Sequence, residues 1–268
     1  MKRYNPLITQ MEFHSPSLQH FREQIAKEPS LLMEGLWDAP KAFLIRLLQE
    51  ATKKNILVLT ADSKLSRLLD DAAYFKISDI MEFPAWETLP GEEISPSPDI
   101  VGRRLSILHR LLEKKKPQVI VCPLQSALQK VPSPGYLEPL CKTLKIGDEI
   151  PFSSLPAWLS QVGYRRTSVV ADKGEFAIRG GILDVYPVGS PDPYRIEFFG
   201  DEIDNIRTFD PIGQKSTSKV TSLFISPAYE DQLLGKDAEP ASLLAYLGPN
   251  TLVIFDDQIG RASCRERV

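Results

Sequence analysis

The chain has 268 residues, 43% hydrophobic and 25% charged, an ordinary globular balance with room for one large domain or two to three small ones. Its net charge of −3 gives no global case for nucleic-acid binding, no apolar run approaches the roughly 18 residues of a membrane span, and Met1-Lys2-Arg3-Tyr4-Asn5-Pro6 opens no secretion signal. Cys122, Cys141 and Cys264 have neither metal-ligand spacing nor the density of a disulfide framework, so a reducing, cytoplasmic location without membrane contact is expected.

Residues 1–29 read as a helical segment punctuated by Pro6, Pro16 and Pro29. Next, Gly35-Leu-Trp-Asp-Ala-Pro-Lys-Ala42 keeps the spacing of a phosphate-binding loop, Gly-x-x-x-x-Gly-Lys-Ser/Thr, through Gly35 and Lys41. Such a loop cradles phosphates with consecutive backbone N–H groups at a helix N-terminus, and its hydroxyl holds Mg²⁺. Pro40 in place of the second glycine has no N–H to donate, and Ala42 has no oxygen for a metal. The apolar run Leu31-Leu32-Met33 precedes the loop, and Phe43, Leu44, Leu47 and Leu48 give a helical pattern after it. Two readings stand: a nucleotide-hydrolase scaffold stripped of its chemistry, or a chance Gly…Lys pair.

Residues 30–128 alternate strand and helix. Asn55–Thr60 and Val119–Cys122 are continuous apolar runs, as in strands buried on both faces, and residues 79–83 form a shorter strand. Asp62-Ser63 and Asp99 mark helix starts, with stripes Leu65, Leu68, Leu69 and Val101, Leu105, Leu108, Leu112. Arg103-Arg104 reads as part of a solvated helix face. The alternation predicts a parallel sheet covered by helices. Its character changes near Pro132-Ser-Pro-Gly135, and residues 165–210 read as antiparallel hairpins: Thr167–Ala171, Phe176–Arg179, Ile182–Tyr186, Tyr194–Phe199 and Glu202–Asp210, with glycines at the turns. Residues 213–258 return to the buried style, and Leu252-Val-Ile-Phe255 reads as a buried strand. The expected fold is therefore α/β: a degenerate P-loop-type parallel sheet in two halves, residues 30–128 and 213–258, around an inserted α+β domain at 129–212. The tail at 259–268, with three Arg and one Glu, breaks the pattern and resembles a translated sequencing-library adapter, which would make the chain a truncated piece of a longer protein. The alternative is a genuine flexible basic tail.

Catalytic constellations are poor, since no histidine has a neighbouring nucleophile that suggests a triad. The informative strand is Tyr194–Phe199. Side chains alternate between faces, so Tyr194, Ile196 and Phe198 read as core, and Arg195, Glu197 and Phe199 share the other face. Likewise Phe176 and Ile178 face inward and Arg179 outward. Arginine beside an exposed aromatic is the composition of a protein-interface hot spot. On pattern alone the plainer reading is stronger: Phe199 ends the strand and tucks under the turn, and the arginines are solvated surface.

The stretches Phe83-Pro-Ala-Trp-Glu-Thr-Leu-Pro90, Ser95-Pro-Ser-Pro-Asp-Ile100, Gly174-Glu-Phe-Ala-Ile-Arg-Gly-Gly-Ile-Leu-Asp-Val-Tyr-Pro187 and Pro193-Tyr-Arg-Ile-Glu-Phe-Phe199 are long and ungapped. Over roughly residues 30–258 they resemble the N-terminal module of the bacterial transcription-repair coupling factor family, Mfd, and the later ones are shared with the excision-repair protein UvrB. The resemblance implies a split P-loop-like domain, intact as an ATPase in UvrB and degenerate in the coupling factors, as Gly35, Pro40, Lys41 and Ala42 are here. It also implies a second domain that docks the damage-recognition ATPase UvrA through residues matching Arg179, Arg195 and Phe199, all three expected to be dispensable for folding. The implied function is a non-catalytic adaptor of nucleotide excision repair with no cofactor of its own. RNA polymerase, DNA, ATP and Mg²⁺ would be handled by translocase parts of the parent outside this chain. The alternative is an active UvrB-like ATPase that clamps damaged DNA.

Overall fold

The computed structural model describes residues 21–256 except 22, 26, 28, 29, 34, 35, 37, 76, 78, 79, 89–93, 114, 115 and 235–239. Gly35, most of the expected N-terminal helical segment and the tail at 259–268 therefore lie outside the described residues. Two sheets dominate. The first contains β1 (Asn55–Thr60), β2 (Ile80–Glu82), β3 (Val119–Pro123) and β14 (Thr251–Phe255) in the order β14-β1-β3-β2, with every pairing parallel. Helices α1 (Asp38–Thr52) and α2 (Asp62–Tyr74) cover one face, and α3 (Pro98–Leu112) covers the other. The apolar runs explain this arrangement. Ile56, Val58, Val119 and Val121 pack with Ala42, Ile45, Leu48, Leu65 and Leu68 on one side, whereas Leu57, Leu59, Ile120 and Cys122 meet Leu105 and Leu108 on the other.

Several local expectations change. The apolar run Leu31-Leu32-Met33 is exposed and lies outside both sheets. Ala61, not Asp62, occupies the N-cap of α2. In α3 the buried position of the last turn is Leu111 rather than Leu112, and Arg104 is buried with the leucines. Strand β14 lies at the sheet edge, so Val253 and Phe255 are exposed, although Leu252 and Ile254 pack inward.

The second sheet has the order β11-β10-β9-β8-β7-β6, where β6 is Arg165–Arg166, β7 Glu175–Arg179, β8 Ile182–Val185, β9 Tyr194–Phe199, β10 Glu202–Phe209 and β11 Ser216–Val220. All its pairings are antiparallel except β6 with β7. Its inner face, with Phe176, Leu183, Val185, Ile196, Ile203 and Ile206, belongs to the same apolar cluster as the α3 side of the first sheet. Two backbones meet closely at this junction: a Cβ on Gly102 of α3 would sit 2.2 Å from the Val188 carbonyl oxygen.

Arg104 ties the junction together with charge. It is fully buried, donating from Nε and Nη2 to the Glu230 carboxylate at 2.7 and 3.0 Å and from Nη1 to the Pro84 carbonyl at 2.8 Å. Its guanidinium lies 4.4 Å from the Phe83 ring centroid and 5.3 Å from that of Trp86, whose indole N–H also donates to Glu230. The solvated-face reading of Arg104 is thus overturned, because a buried carboxylate and two aromatic faces replace its water.

Candidate protein-docking face

The outer face of the second sheet is built by register. Ala177 of β7 lies opposite Asp184 of β8, which lies opposite Arg195 of β9, and Arg195 faces Arg207 of β10. One step along, Arg179 pairs with Ile182 and Ile182 with Glu197. Arg179, Arg195 and Phe199 therefore share one face. Phe199 closes β9 immediately before Gly200, whose φ of +64° is a left-handed conformation that glycine adopts without the Cβ clash. The turn holds Phe199 outward, 82% exposed, so it does not tuck beneath the hairpin.

The expected strand at 167–171 is instead a loop that folds back over part of this face. Val170 is fully buried and packs with Ala177 and Phe209. Glu175 clamps the loop by accepting hydrogen bonds from the backbone N–H groups of Ala171 and Asp172 at 2.9 and 3.0 Å and from Arg165 at 2.6 Å. Burial pushes the Glu175 pKa up, but these three donors outweigh it and hold the carboxyl below its ordinary range. What stays open is the half of the face carrying Arg179, Glu197 and Phe199, with Arg195 at its margin keeping 19% of its side chain exposed.

The two arginines differ. Arg179 is exposed and donates from Nη2 to the Ser168 carbonyl at 2.7 Å. Arg195 is half-buried: its Nε and Nη2 donate to the two Asp184 oxygens at 2.7 and 2.8 Å, and its Cζ lies 4.9 Å from the Phe209 ring centroid. The bonds it donates to Asp184, against the opposing effect of burial, raise the Arg195 pKa. Truncating Arg195 would strand a buried carboxylate, so the expectation that the fold is indifferent to it does not survive. Sequence alternation places both residues on one face. It does not signal the lock between them, which needs the register of β8 against β9.

The Pro40–Ala42 stretch at the start of α1 holds an ion pair. Pro40 is the third residue of α1, within the first turn, where a missing N–H breaks no helical bond. Ala42 is fully buried, and Lys41 Nζ lies 2.8 Å from Asp256 Oδ1, whose Oδ2 accepts from the Thr60 hydroxyl at 2.9 Å. Among the described residues no His/Cys/Asp/Glu group could hold a metal ion, and no helix is long and apolar enough to cross a membrane.

Residues 143–230, which include all of β6–β11, match the UvrB interaction domain family, and the outer face lies within that match. Over most of its length the chain is similar to transcription-repair-coupling factors, the recognition its motifs implied. It is 33% identical to that of Haemophilus influenzae over 216 residues, 34% identical to that of Escherichia coli over 206, and 34% identical to that of Mycobacterium bovis over 249, or 78%, 76% and 89% of this chain. It spans only 18–20% of the length of these relatives.

Proposed function

We propose that this chain is a docking module of transcription-coupled nucleotide excision repair that recruits UvrA through the outer face of its second sheet, as a non-catalytic adaptor. The observation that carries this reading is Phe199: a large aromatic 82% exposed, on the same face as Arg179 and Arg195, inside the stretch that matches the UvrB interaction domain. An exposed aromatic flanked by arginines is a residue set that anchors protein interfaces. The similarity to transcription-repair-coupling factors supports the pathway. In a full-length relative of that kind, an ATP-dependent DNA translocase that displaces RNA polymerase would lie in other parts of the chain.

An ATP-hydrolysing role is less well supported. The loop offers proline and a buried alanine where phosphate and Mg²⁺ ligands are needed, and its lysine is engaged with Asp256. The division expected from the sequence, a P-loop-like body at 30–128 and 213–258 around a docking domain at 129–212, is proposed here with its second boundary moved beyond β11 (Ser216–Val220), which extends the docking sheet. The test is titration of the purified chain with UvrA. Binding that weakens in Arg179→Ala and Phe199→Ala, both still folded, sustains the proposal. Wild-type affinity in both variants overturns it.

A further inference from the structure

Arg195 is unusually constrained for a docking residue. Asp184, directly opposite it in the β8–β9 register and with only 4% of its side chain exposed, takes the guanidinium side-on through Nε and Nη2. Phe209 lies against the guanidinium, and Nη1 donates a longer bond of 3.4 Å to the Gln214 carbonyl. A guanidinium carries five N–H groups, and these contacts use three. The two left over are one on each Nη, and donors on both Nη atoms can match the two oxygens of a carboxylate.

We infer that Asp184 is the positioning residue of the docking face: it fixes Arg195 so that the remaining N–H groups of the guanidinium take a carboxylate of the partner. This rests on the docking reading above. An unrestrained arginine loses its rotamer freedom on binding, whereas Arg195 loses it on folding, so the docked complex forms at a smaller entropic cost. The inference gives a purpose to a largely buried ion pair, which is often no more stabilising than apolar residues of the same shape.

Charge and position make opposite predictions for Asp184→Asn. Removing a carboxylate makes the face more positive, so long-range attraction alone would tighten binding to an acidic partner. Loss of the side-on clamp weakens it. The experiment measures UvrA affinity at low and high salt for the intact chain and for Asp184→Asn, Arg195→Lys, Arg195→Ala and Phe199→Ala, with thermal unfolding to confirm folding. Asp184→Asn is expected to weaken binding about 10-fold, the effect of losing a charged hydrogen bond. Arg195→Lys, which keeps the charge beside Asp184 but has no two-pronged edge, should lose as much as Arg195→Ala. Added to Arg195→Ala, Asp184→Asn should change affinity less than about 2-fold, because there is nothing left to position. If Asp184→Asn disrupts folding, Arg195→Lys decides alone. Parent-like or tighter binding by Asp184→Asn or Arg195→Lys, while Arg195→Ala and Phe199→Ala bind weakly, overturns this inference and leaves the docking face standing. Parent-like binding by Arg195→Ala and Phe199→Ala together overturns the docking face itself.

Discussion

Arg104 and Glu230 hold each other at 2.7 Å with neither side chain exposed. Removing one partner leaves a buried charge unpaired, so Arg104→Ala or Glu230→Ala should cost about 3–5 kcal/mol in urea unfolding, whereas Arg104→Met combined with Glu230→Leu should recover most of that loss. Phe199 is the opposite case. At 82% exposure it contributes little to the core, so Phe199→Ala should leave the melting temperature unchanged while weakening UvrA binding by about 1–3 kcal/mol in calorimetric titration. Arg195 stands between them: its truncation should lower both stability and affinity, because Asp184 then has no counter-ion.

The loop at 167–172 depends on Glu175. With its pKa held below the ordinary value, this carboxylate stabilises the fold fully above the unfolded-state value of 4.5 and loses that contribution as the pH falls through the lower folded-state value. Acid unfolding of the chain should therefore be less steep in Glu175→Gln, which never carries the charge. That variant should also show faster amide exchange at Ala171 and Asp172, whose N–H groups the carboxylate accepts. Helix α3 makes a harder contact. A methyl on Gly102 would overlap the Val188 carbonyl, and backbone cannot swing aside as a side chain does, so Gly102→Ala should be among the most destabilising small substitutions, about 2 kcal/mol or more by chemical unfolding.

Across the molecule, the close approach at Gly102 and one continuous apolar cluster join the two sheets, and the buried Arg104–Glu230 pair fastens α3 to the segment that follows the second sheet. The Lys41–Asp256 pair belongs to the same framework, linking α1 to the end of β14. Lys41→Ala should lower stability by about 1 kcal/mol and leave no ATPase activity to lose, since none is expected from Pro40 and Ala42. ATP turnover by the purified chain that disappears in Lys41→Ala would refute this.

Much of the architecture is legible in the chain itself, because it rests on local periods. Continuous apolar runs identify β1 and β3 as strands buried on both faces, and strict alternation along Tyr194–Phe199 places Arg195 and Phe199 together, away from the core. In Gly-x-x-x-x-Pro-Lys-Ala, residue types alone show that the N–H and hydroxyl groups a phosphate-binding loop would use at two of its positions are missing. Tertiary structure decides what depends on distant partners. Arg104 is buried because Glu230, 126 positions further along the chain, and two aromatic rings take the place of water. Residues 167–171 abandon the strand their β-branched composition favours because Val170 finds a deeper apolar site over Ala177 and Phe209. β14 has the apolar run of an interior strand, yet lies at the edge, where half of that run meets solvent. A local pattern encodes which face a residue takes, but the free energy of burying a charge or a loop is set by whatever the rest of the fold brings against it.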